Sequence, residues 1–209
     1  MIQFKKYSFS FTGASALIAE TMIIAEEFDK LKDWNKVELS VVDNNLLNKT
    51  KQTTIKREYS EIRKRLLTLT PDQLHLMTHG SLDDAKAMIL LSLVKSYEYL
   101  KDFIVEVVRN KYLIFDRVLT ETDYNRFFNT KSLSHPELIA ITEVTARKVK
   151  QVIFKLQAQM GLITHPKNGI ILKPILSNEV LEMVSKEDPS YLASFLYSKE
   201  EINVLINKK

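Results

Sequence analysis

The sequence predicts a mainly α-helical protein, and three observations carry that expectation. The 209-residue chain has only four glycines and five prolines, few breakers for a strand-and-turn fold. Apolar residues return at three- and four-residue spacing, most cleanly at Ile55, Tyr59, Ile62, Leu66 and Leu69. Helix-starting and helix-stopping residues fall between such stretches, as at Pro71 and at His79-Gly80.

The first helix is expected at 14–31, after Thr12-Gly13, with Leu17, Thr21, Phe28 and Leu31 at helical spacing. A short helix near 34–42 follows. The polar connector DNNLLNKTKQTT, at 43–54, ends in hydroxyls able to cap a helix over 54–69. Pro71 and Asp72 open a short helix that His79-Gly80 closes. Ser81 and Asp84 resemble a capping box for a helix to about 99. Its run AMILLSLV, at 87–94 between Lys86 and Lys95, is far below the roughly 20 residues of a membrane span and reads as a buried helix. Further helices are expected at 100–118, to about 129, at 136–141 and at 143–160. After Gly161, LIT-HPKNG-IILKP reads as strand, turn, strand. Two polar helices, at 177–186 and 189–197, complete the pattern. The loop-like NTKSLSHP suggests a helical-bundle domain over 1–130 and a winged-helix-like domain with C-terminal helices over 131–209.

Composition narrows the function. With no cysteine, disulfides, thiolate metal sites and cysteine nucleophiles are excluded, and a reducing cytoplasm suits the chain. The opening MIQFKKYSFSFTG holds no apolar run of signal-peptide length. Net charge is only +4, but residues 131–176 carry seven Lys/Arg against two Asp/Glu, and residues 1–70 carry twelve against nine. Localised positive charge suits a polyanion.

Two helices concentrate it. On 54–69, Lys56, Arg57, Ser60, Arg63 and Lys64 share one flank of the apolar stripe with no acid among them. Glu58, Glu61 and Arg65 take the other flank. Lys49 and Lys51 lie near the helix start, where the backbone field favours phosphate. On 143–160, Val149, Val152, Ile153, Leu156 and Met160 form the core stripe. Thr145, Arg147, Lys148, Gln151 and Lys155 project away, with Phe154 also directed outward. Short helix, tight turn, long helix and basic-tipped hairpin is the order of a winged helix-turn-helix, whose second helix enters the major groove. The wing would carry His165, Lys167 and Asn168. Arg and Gln read base edges, while Lys and Thr suit phosphate. A solvated basic surface, or a winged-helix fold used for protein contact, is the alternative.

Catalytic patterns are missing. Four glycines cannot be arranged into a P-loop, and neither G-x-S-x-G nor G-x-G-x-x-G occurs. His75 and His79 have the four-residue spacing of metal ligands, but no third ligand is evident from the sequence. No metal, cofactor or catalytic residue is therefore expected.

Several blocks resemble the BrxA family of bacterial BREX phage-defence systems. They are SFTGASALIAET at 10–21, DNNLLNKTKQTTIKREYSEIRKRL at 43–66 and FIVEVVRNKYLIFDRVLTETDYNRFF at 103–128. TEVTARKVKQVIFKLQAQMGLI at 142–163 and KPILSNEV at 173–180 extend the match. The resemblance implies a NusB-like helical part, then a winged-helix-like part. It also implies sequence-tolerant binding of double-stranded DNA in a system that marks host DNA by methylation, performed by another subunit. It supplies no catalytic residues. The expected function is a cytoplasmic, non-enzymatic DNA-binding accessory protein, touching other BREX subunits and no membrane. An assembly module and an RNA-binding protein are the alternatives.

Overall fold

A computed structural model of the protein describes residues 6–13 and 15–207. Among these residues the fold is all-helical, with twelve α-helices and no β-strand. The chain divides into two compact units, Ala16–Ser96 and the residues before 16 together with those from Tyr97 onward. Position 130 lies in the helix Glu121–Ser132.

The unit Ala16–Ser96 contains α1 (Ile18–Leu31), α2 (Trp34–Asp43), α3 (Gln52–Leu66), α4 (Pro71–His79) and α5 (Leu82–Ser96). The start expected for α1 at Ala14 lies outside the described residues; among those described, Leu17 precedes the helix in the left-handed region. Asp33 caps α2 by accepting from the backbone N–H groups of Asn35 and Lys36. Thr70 and Gln73 form a reciprocal capping box for α4, with Pro71 in its first turn. Ser81 and Asp84 do the same for α5, as their spacing predicts. The α5 run Ala87–Val94 is buried throughout, and α1, α3 and α4 pack on it. Nearly all sides of this helix are apolar because nearly all sides are covered.

The other unit begins with a 3-10 turn, Ser10–Gly13. One helix then runs over 98–113 as α6 (Glu98–Phe103), a π-helical turn (Ile104–Val108) and α7 (Arg109–Leu113). Next come α8 (Glu121–Ser132), α9 (Pro136–Ala140), α10 (Glu143–Gln159), α11 (Asn178–Glu187), a 3-10 turn (Pro189–Phe195) and α12 (Lys199–Asn207). The sequence pattern missed α12 and assigned 189–197 as a helix. The core is aromatic: Phe103 stands edge-on to Tyr124 and Phe127, with ring centroids 5.6 and 5.3 Å away.

The expected β-hairpin does not form. Its place is taken by single antiparallel bridges, Ile163 with Ile171 and Val118 with Ile170. The arms are too short for a ladder. Gly161, at φ 74°, ends α10 one residue before the first arm. Pro174 ends the second arm, because it has no N–H to donate. Between them, the Thr164 N–H donates to the Ile170 carbonyl and the Leu172 N–H to the Leu162 carbonyl.

Candidate nucleic-acid interface

Helix α3 exists because one side of it is core. Ile55, Tyr59, Ile62 and Leu66 are buried, and the Tyr59 hydroxyl donates to the Trp34 carbonyl at 2.7 Å. Rotating this stripe inward leaves Lys56, Arg57, Ser60 and Lys64 exposed, as the helical wheel requires. Arg63 is half-buried, its guanidinium 6.0 Å from the Trp34 ring centroid. The acids of the helix turn inward: Glu58 is buried, and Glu61 lies 3.4 Å from the buried Arg65. Burial pushes the Arg65 guanidinium below its ordinary pKa, an effect that Glu61 opposes.

The upstream lysines differ. Lys51 is exposed at the helix start. Lys49 is held by Glu20 at 2.7 Å and Glu58 at 3.4 Å, and the hydrogen bond to Glu20 raises its pKa. Its charge is therefore already spent on carboxylates. Arg57 also reaches Glu58, at 3.8 Å.

Helix α10 offers a simpler surface. Thr142 caps it, accepting from the Thr145 N–H, and the two threonine hydroxyls lie 3.0 Å apart. Val149, Ile153, Leu156 and Met160 are buried. Arg147, Lys148, Gln151 and Lys155 are exposed, with Thr145 half-buried beside the cap. Among the described residues, Arg147, Lys148 and Lys155 make no ion pair. Lys150 does, with Glu121 at 2.7 Å. A pocket of about 210 Å³ between α8 and α10 is lined by Asn125, Phe128, Arg147 and Lys150. Asn125 was not singled out from the sequence, since only packing of α8 brings it to this face. Lys167 is exposed on the bridged turn, where its backbone N–H donates to the His165 Nδ1 at 3.1 Å.

Phe154 overturns its expected direction. It is buried, with its ring centroid 6.2 Å from both Phe103 and Tyr124. The wheel assumed one covered stripe, whereas α10 is covered over a wider arc. The outer face is therefore narrower than predicted and purely polar at its centre.

One pair read as isolated also gains a neighbour. Asp29 of α1 lies beside His75 and His79 of α4, with one ligand atom from each within 4.8 Å of the others. No signal in the sequence linked Asp29 to α4, because the contact is tertiary.

No described helix is long and apolar enough to cross a membrane.

Comparison with known proteins supports the fold and the family. A crystal structure of an uncharacterized protein from Magnetospirillum magneticum superposes with a TM-score of 0.79 at 22% identity, covering 92% of this chain and 98% of that one. That likeness is one of fold. The BREX protein BrxA of Escherichia coli O9:H4 (strain HS) is 25% identical over 187 residues, covering 90% of this chain and 88% of the relative. The BREX protein BrxA of Bacillus cereus (strain H3081.97) is 25% identical over 150 residues, covering 71% of this chain and 75% of the relative. The BrxA family model matches residues 5–188. This chain belongs to the BrxA family.

Proposed function

We propose that the chain is a non-enzymatic component of a BREX phage-defence system that holds duplex DNA through basic helix faces with little sequence preference. The observation that carries this reading is the outer face of α10, where Arg147, Lys148 and Lys155 are exposed and have no carboxylate partner among the described residues. Cations without acids are what a polyphosphate displaces counterions to reach. Gln151, between them, has the donor and acceptor pair suited to adenine, while Thr145 suits phosphate. In this reading α9 and α10 act as a helix-turn-helix, and Lys167 stands on the bridged turn that follows them. The α3 face adds Lys51, Lys56, Arg57, Arg63 and Lys64, on a bundle that the resemblance makes NusB-like. Most of these are charge contacts, which position a duplex without reading it.

Duplex binding followed by fluorescence anisotropy across a salt series tests the reading. Affinity should fall steeply as salt rises, with a log–log slope of about −0.9 per phosphate contacted. Absence of duplex binding at about 50 mM salt overturns it.

A second reading, assembly with other BREX proteins, is favoured by a separate observation. Ile114, Phe115, Val118, Ile170, Leu172 and Ile175 are exposed large apolar side chains, and the Val118–Ile170 bridge draws the two segments together. Both activities fit one protein, because this surface and the α10 cations use different residues.

A further inference from the structure

We propose that Asp29, His75 and His79 bind a divalent transition-metal ion of the zinc class. The three residues come from two helices that pack together, α1 and α4. His75 and His79 are one helical turn apart and so share a face, their rings stacked with centroids 4.0 Å apart. Asp29 faces them, its Oδ2 lying 3.7 Å from the His79 Nε2. That separation is too long for a hydrogen bond. It is the separation of two donors around a common ion: ligands at about 2.0–2.2 Å in a tetrahedron stand roughly 3.4 Å apart. All three ligand atoms lie within 4.8 Å of one another, so rotations of the side chains that move a donor by about an ångström complete the site.

The surroundings orient the donors as metal sites do. The Thr78 hydroxyl has the His75 and Leu74 carbonyls within reach at 3.1 and 3.3 Å, which leaves its oxygen to accept from the His79 Nδ1 at 2.9 Å. The His75 carbonyl, 3.2 Å from the same nitrogen, can only accept. Nδ1 therefore carries the hydrogen, and the Nε2 lone pair is turned toward a carboxylate oxygen. A histidine whose second nitrogen donates to a backbone carbonyl is the usual second sphere of a metal-bound imidazole. On the other side, Lys32 grips the Asp29 Oδ1 at 2.6 Å, which leaves Oδ2 facing the histidines. Two lone pairs converge there, and a cation between them turns a repulsion into two bonds.

Two imidazoles and one carboxylate suit zinc and its neighbours, whereas magnesium prefers oxygen donors and keeps its water. Three protein ligands leave a tetrahedral ion one exchangeable position. Asp29 and His75 also line a cavity of about 460 Å³, walled largely by Phe28, Trp34, Leu66 and Leu74, so the ion would sit at its rim. The bond would clamp α4 to α1 and present the open position beside an apolar pocket.

Zinc titration of the full chain by calorimetry tests the site, with magnesium as the comparison ion. One zinc ion per chain should bind, and magnesium should give no saturable heat. Loss of a second-sphere partner alone weakens metal sites about 10–100-fold, so H75Q/H79Q should lose at least about 100-fold in zinc affinity. D29N should lose affinity too, while H165Q, in the exposed turn, should bind as the parent does. Zinc should also shift the ring nitrogen resonances of His75 and His79 in the unaltered protein, a readout that needs no variant to fold. Zinc binding that survives H75Q/H79Q, or ring resonances of these two histidines that stay in place on zinc addition, overturns the proposal.

Discussion

Helices α3 and α10 have the same formal charge and are built differently. Five cations against two acids on α3, and four against one on α10, leave each at +3. On α3 the charge is shared with the core. Arg65 is wholly buried, Glu58 is buried beside Lys49, and Arg63 leans over Trp34. Among the described residues, Lys150 is the one α10 cation drawn into an ion pair, with Glu121 on α8, and Arg147, Lys148 and Lys155 face solvent. The comparison teaches that a cation count does not measure a binding face. What matters is whether the fold has already placed an acid or a ring against each charge. Removing the buried Arg65 charge of α3 should perturb the bundle, whereas removing the exposed charges of Arg147, Lys148 and Lys155 on α10 should perturb binding alone.

The sharpest way to break this comparison is at the buried positions. Arg65→Ala should destabilise the chain by roughly 4 kcal/mol, because Glu61 and the Ala16 carbonyl, both 3.4 Å away, lose their buried partner. Denaturant unfolding measures it, and a loss under about 1 kcal/mol would mean that the Arg65 charge is as superficial as the exposed cations of α10. Phe154→Ala should cost roughly 3 kcal/mol by the same measurement, since it empties the contact with Phe103 and Tyr124. A neutral result would return Phe154 to the outer face that the helical wheel assigned it.

Smaller effects sharpen the picture. Thr142→Ala removes the cap that starts α10 and should cost about 1 kcal/mol in thermal unfolding, with duplex affinity reduced as the first turn frays. Acid should loosen the unit that holds α8 through Asp123. Burial raises the pKa of this carboxyl, but hydrogen bonds from Thr120 and Lys111 outweigh burial and hold it below its ordinary value. A depressed folded value means stabilisation that is complete above the unfolded carboxylate pKa, near 4, and is lost as pH falls through the folded value. Thermal scans from pH 6 downward should show the loss, and Asp123→Asn should make it shallower.

Much of this architecture was legible in the sequence where local rules act alone. Pro71 with His79-Gly80, the capping pair Ser81-Asp84 and the stripe Ile55 to Leu66 placed α4, α5 and α3 to within a few residues. Local rules misled where tertiary contact decides. The apolar residues of 162–172 promised strands, but three-residue arms between Gly161 and Pro174 support only single bridges. Helix α12 carries Ile202, Val204, Leu205 and Ile206 but buries none of its residues, and it passed unnoticed in the sequence. The exposed flank of α3 was legible at Lys56, Arg57, Ser60 and Lys64, yet nothing in the spacing said that Arg57 would reach Glu58 or that Lys49 would be taken by Glu20, 29 positions away. The α10 cations were legible because they interact with so little of the chain.

The central claim meets its most direct test in the salt dependence of duplex binding for Arg147→Ala/Lys148→Ala/Lys155→Ala. Exposed substitutions of this kind should each leave stability within about 0.5 kcal/mol of the parent. If α10 holds phosphates, the triple variant should bind more weakly and its log–log salt slope should flatten by about 0.9 for each phosphate contact removed. A variant that folds as the parent does and keeps the parental slope and affinity would contradict the account.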